Sequence, residues 1–190
     1  MHRAVLVLSR LMALLGGAVL CLLIAVVCLS ILGRSLNGAL HHAFLQSLAP
    51  GAADALIAAG IGPIRGAYEL VEAGMAFAVF AFLPLAQVSR AHATVDIFTG
   101  PLPERAQRWL SAAIEVVFAA ALIVIAVQLK EGMDGKIRSG QTTLLLQYPV
   151  WWSYAASLAA AGIAAGVATW MALVRVAEAL RGRALVGGPA

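Results

Sequence analysis

Four stretches of the chain are apolar enough, and poor enough in charge, to cross a lipid bilayer. The hydrocarbon core of a bilayer is about 30 Å thick, so a spanning helix needs about 20 apolar residues in succession. Residues 11–32 form one such stretch with no charged side chain, and residues 70–89, 110–129 and 150–174 form three more. No segment alternates apolar and polar residues with period two, as a transmembrane β-barrel requires. The expected fold class is therefore all-α: a single membrane domain over residues 1–190, built as a bundle of four transmembrane helices. Composition agrees, because 62% hydrophobic and 12% charged residues leave too little polar surface for a soluble domain of this size.

The flanks of the stretches set an orientation. Arg3, Arg10, Arg90, Arg105, Arg108, Arg175, Arg181 and Arg183 fall on one side, and Arg34, Arg65, Lys130, Lys136 and Arg138 on the other. The excess of basic residues on the first side places both termini in the cytoplasm. Trp109 at the start of the third stretch and Trp151, Trp152 and Tyr154 at the start of the fourth suit the two interfacial belts. A net charge of +4 comes from these flanking residues, not from a basic patch interleaved with aromatics, so the expected partner surface is lipid and not nucleic acid. The first stretch is too long for the apolar region of a cleaved signal peptide and is expected to be a retained anchor.

Residues 33–65 make a long connection. Within it Leu36, Leu40, Phe44, Leu45 and Leu48 recur at helical spacing, with Asn37, His41 and Gln46 between them. This pattern predicts a short amphipathic helix on the outer membrane surface, ended by Pro50-Gly51. Pro84, inside the second span, predicts a bend.

Chemistry-bearing residues are few. His2, His41, His42 and His92 all lie outside the spans, where they cannot face each other as axial haem ligands, and no zinc spacing, nucleophile elbow or phosphate loop occurs. Glu115 is the one acid well inside a span, about 9 Å beyond the belt residue Trp109. It either pairs within the assembly or serves as an ion-coupling site, since intramembrane acids are costly and often functional. Cys21 and Cys28 lie about 10 Å apart along one helix axis, too far for a disulfide, and read as small packing residues. Small residues form two rows: Ala13, Gly17, Cys21 and Ala25 on the first span, and Gly162 with Gly166 on the fourth, beside Ser157, Ala161 and Ala165. Such rows let helix backbones approach closely, either inside this bundle or against a partner helix.

The segment GAYELVEAGMAFAVFAFLPLAQVSRAHATVDIFTGPLP over residues 66–103 combines several features. Glu69 and Glu72 open the second span, His92 follows its polar end, and Val95-Asp96 precedes a proline-bounded turn. Gln147-Tyr148-Pro149-Val150-Trp151-Trp152 then opens the fourth span. In this order the features resemble the small membrane subunit, of DctQ type, of tripartite ATP-independent periplasmic (TRAP) transporters. The likeness extends over most of residues 66–181, and the long 33–65 connection departs from it.

The resemblance implies an accessory scaffold subunit of a sodium-driven solute importer in the bacterial inner membrane. A large membrane subunit would carry the substrate and sodium sites, so this chain is expected to hold no cofactor and to be no enzyme. A periplasmic substrate-binding protein would capture the solute, typically a carboxylate. Glu69, Glu72, His92 and Asp96 would be positioning residues, and Gly17, Cys21, Gly162, Gly166 and Glu115 would serve the partner interface or the packing of the bundle. Two other functions compete: an autonomous small transporter using Glu115 for proton coupling, and a membrane anchor for a redox complex.

Overall fold

In a computed structural model, residues 2–41, 62–89 and 103–182 are described, together with a few single positions between 51 and 60. Four helices account for almost all of them: α1 (His2–Leu40), α2 (Ala67–Val88), α3 (Glu104–Ser139) and α4 (Trp151–Arg181). Each is long and apolar enough to span a membrane, which makes the chain the expected all-α four-span bundle.

Three helices overshoot the apolar stretches that announce them. At 39 residues α1 is about 58 Å long, nearly twice the hydrocarbon thickness. It runs through Gly33 without a break, so Leu36 and Leu40 end this helix and do not start a separate surface helix. Phe44, Leu45, Leu48 and Pro50 lie outside the described residues. Along α3 the helix continues ten residues past position 129, through a charged segment read from sequence as loop. No proline interrupts it, Lys130 pairs with Asp134 one turn on at 3.4 Å, and Gly132 accommodates the Tyr154 ring of α4. Gly140, at φ 61°, then ends it in the left-handed conformation that glycine adopts freely.

The helices do not pack in chain order. α1 packs on α2, α2 on α4, and α4 on α3, so α2 and α4 are central and α1 and α3 flank them. Half of the apolar window of α4 is buried, against 17% for α1 and for α3. Alanine makes this possible. Ala160, Ala161, Ala164, Ala165, Ala168 and Ala172 are all buried and add little bulk between backbones. Around them Ala119 and Leu122 of α3, Ala81 of α2 and Met12 of α1 complete the core.

The α1–α2 contact uses Gly16 and Gly74. A Cβ at Gly16 would sit 3.0 Å from that of Ala81, and one at Gly74 would sit 2.8 Å from a Leu23 methyl. At the end of the bundle away from the termini, called distal below, the Ile64 amide donates to Ser30 Oγ at 3.2 Å and ties the start of α2 to α1. Pro84 is fully buried within α2.

Candidate functional site

Between α3 and α4 the chain reverses in a short hairpin. The Thr143 amide donates to the Tyr148 carbonyl and the Val150 amide to that of Gln141, both at 3.0 Å. Gln147 supports the reversal from a left-handed conformation, φ 53°. Glu69, on the first turn of α2, holds the hairpin tip. Its carboxylate accepts the amides of Leu145 at 2.7 Å and Leu146 at 2.9 Å. Tyr148 Oη donates to the Glu69 carbonyl, so the clasp has both side-chain and backbone parts. Gly66 caps α2 at φ 77°, and a side chain there would overlap Leu146. Glu69 thus positions one loop against a neighbouring helix, while Glu72, one turn further along α2, is exposed.

Towards the other end of α2, Gln87 is 3% exposed and its Nε2 donates to Glu115 Oε2 on α3. The intramembrane acid therefore has a hydrogen-bonding neighbour in this chain, on a helix that packs mainly against α4. Removing one member of such a pair takes a charge-assisted hydrogen bond from the other inside the bundle, which costs about 1–3 kcal/mol, whereas removing both costs less. Glu115→Leu is expected to destabilise the bundle by about that amount, and Gln87→Leu with Glu115→Leu by clearly less. Reversible unfolding of the single and double variants in mixed micelles measures the difference.

A second polar pair lies near the termini. Arg175 and Glu178, on the last turns of α4, are 7% and 6% exposed, with Nη1 and Oε2 2.6 Å apart. Arg108 of α3 donates to the Gly182 carbonyl just beyond the end of α4. The sequence reading placed Arg175 among the flanking charges and did not single out Glu178 or Gln87. The available signals were opposite charges three residues apart at the end of an apolar helix, and a glutamine near the end of a span.

The small-residue rows face outward. Cys21 is exposed and Gly17 half-buried, and a Cβ built at Gly17 meets no atom of the described residues within 4 Å. The glycine that packs inside the bundle is its neighbour Gly16. On α4, Gly162 and Gly166 are both exposed, again with none of the described residues within 4 Å of a built Cβ. Ser157, Ala161 and Ala165, placed beside them in the sequence reading, are buried inside the bundle. The central helix therefore uses one small-residue face within the chain and presents another to the outside. His92 and Asp96 lie outside the described residues. His41 Nδ1 lies 2.8 Å from the Asn37 carbonyl, at the end of α1. Among the described residues, no three His, Cys, Asp or Glu side chains gather as a metal site would require.

The arrangement is that of a helical bundle with internal polar ties and an open small-residue face. No curated protein and no solved structure shows significant similarity to the chain. Residues 51–182, well over half of the chain, match the family described as tripartite ATP-independent periplasmic transporters, DctQ component. The chain belongs to the DctQ family, the small membrane component of TRAP transporters.

Proposed function

We propose that this chain is the non-transporting scaffold subunit of a sodium-driven importer for carboxylate solutes, packed against a large membrane subunit that carries the substrate and sodium sites. The observation that carries this reading is the outward-facing Gly162–Gly166 row on α4. In lipid no hydrophobic force drives helices together, and close backbone approach across small residues is a main source of association. A row that meets none of the described residues, on the helix most deeply packed in the bundle, suits a partner helix. In the same reading both termini are cytoplasmic, and the distal hairpin clasped by Glu69 faces the periplasmic substrate-binding protein. Glu115, hydrogen-bonded by Gln87, is then a tie between helices and not a coupling site.

A tagged chain drawn from native membranes in mild detergent is expected to bring down a much larger polytopic protein in stoichiometric amount. The purified chain alone, in liposomes, is expected to transport nothing. Recovery of the chain only as a self-oligomer, with proton-coupled transport lost in Glu115→Gln, would overturn the scaffold reading.

A further inference from the structure

At the distal end a cavity of about 630 Å³ opens between α2 and α3, roofed by the hairpin and floored by α4. Its walls carry opposite charges. Glu72 stands exposed on the α2 side, with no hydrogen bond or ion pair to any described residue. Lys136 stands on the α3 side, its Nζ held 2.6 Å from Gln141 Oε1. Ser157 lines the floor; it is 2% exposed, and its Oγ has no hydrogen-bond partner among the described residues. A buried hydroxyl left in that state is unfavourable, and native interiors supply such groups with a partner. Glu69 also lines the α2 side, with its carboxylate engaged by the hairpin amides, and Ala73, Ala76 and Leu129 give the wall an apolar part.

Depth sets the kind of occupant. Glu72 lies five residues into α2 and Ser157 six into α4, about 8–9 Å along each helix from its distal start. Trp151, Trp152 and Tyr154 mark the interfacial belt at the same end. Lys136, three residues from the end of α3, stands in the headgroup layer, and Glu72 lies at the edge of the second apolar stretch. Ser157, as far past Trp151 as Glu115 is past Trp109, marks the top of the hydrocarbon. The cavity therefore runs from headgroup depth to where the first carbons of acyl chains would lie.

We infer that this cavity binds the headgroup of a zwitterionic aminophospholipid, its primary ammonium donating to Glu72 and its phosphate facing Lys136. A quaternary ammonium has no N–H to donate to a carboxylate, and a headgroup without a cation would meet Glu72 as a like charge. The site therefore prefers an ethanolamine lipid over a choline or glycerol one. The bound lipid would act as a wedge where α2 and α3 are held apart, and would supply Ser157 with a partner.

The full-length chain, exchanged into mixed vesicles of phosphatidylethanolamine, phosphatidylcholine and phosphatidylglycerol in equal parts and re-extracted in mild detergent, is examined for retained lipid by native mass spectrometry. One phosphatidylethanolamine per chain is expected, in clear preference to the other two. Because a hydrogen bond to a charged group is involved, Glu72→Gln is expected to reduce that preference over phosphatidylcholine by about tenfold or more. Lys136→Gln is expected to weaken retention of both zwitterionic lipids while leaving their ratio unchanged. Equal retention of all three lipids, or a chain that keeps none because the cavity holds only water, would overturn the inference. Displacement of the lipid by millimolar soluble phosphoethanolamine would overturn the assignment to a lipid in favour of a free zwitterion. Wild-type selectivity decides the matter even where a variant fails to fold. The readout needs neither a partner subunit nor transport, so its failure is distinct from failure of the scaffold reading.

Discussion

Glu178→Ala is expected to destabilise the bundle by about 3–5 kcal/mol, because it leaves the Arg175 guanidinium buried without the carboxylate that compensates it. Both side chains are 8% exposed, so water cannot replace the missing charge without opening the packing of α4. Position adds to the argument. An acid in the last turn of a helix meets the negative end of the helix dipole and is disfavoured there by itself. Arg175, 2.6 Å away, offsets that cost. Replacing both at once, Arg175→Met with Glu178→Leu, removes the desolvation cost together with the attraction and is expected to lose far less than the single change. Reversible unfolding in mixed micelles, compared with an exposed control such as Glu131→Ala that should shift stability by no more than about 0.5 kcal/mol, distinguishes these outcomes. A single variant as stable as the control would mean that the pair is solvated in the membrane-bound protein.

Gly166→Leu is expected to have the opposite profile, sparing the chain and breaking its assembly. Gly166 is exposed, and no described residue lies within 4 Å of a Cβ at that position, so an added side chain is directed out of the bundle. Exchanging glycine for a strong helix former should even raise helix stability, by about 1 kcal/mol. Against a partner helix the same side chain would fill the space that the backbone-to-backbone approach needs. Recovery of the large subunit with the tagged chain is expected to fall at least about tenfold, equivalent to about 1.4 kcal/mol of association energy. Solute uptake by the assembled transporter should fall with it. Gly74→Leu provides the contrast: there the added side chain would strike Leu23 and Val19 of α1, so that the chain itself loses stability. Normal co-purification and uptake by Gly166→Leu would show that this face of α4 meets lipid.

The membrane class and the number of spans could be read directly from the sequence. Hydrocarbon thickness imposes a length of apolar residues that has no other common explanation, and charges mark where each stretch meets water. Helix ends were less legible. Hydropathy locates the slab of lipid and not the helix, so the polar extensions of α1 to Leu40 and of α3 to Ser139 looked like loop. Backbone hydrogen bonding carries a helix on into water wherever no proline or cap intervenes. Small-residue spacing marked helix faces suited to close contact but did not say what each contacts. The row through Gly17 points away from α2, while Gly16, one residue earlier and about 100° around the helix, makes the contact.

Tertiary structure alone decided which elements meet. Nothing local in Gln87, Glu115, Glu69 or the amides of Leu145 and Leu146 indicates that they are partners, because 28 and 76 to 77 residues of chain separate them. Their meeting follows from the lateral order α1, α2, α4, α3. In a bilayer, where every apolar face is equally content against lipid, that order is set by how closely backbones can approach. Helix α4 has the longest run of buried alanines and so becomes the element on which α2 and α3 both pack. The spans were written into the chain by the solvent they cross, and their arrangement by the shape of the surfaces that only the folded bundle brings face to face.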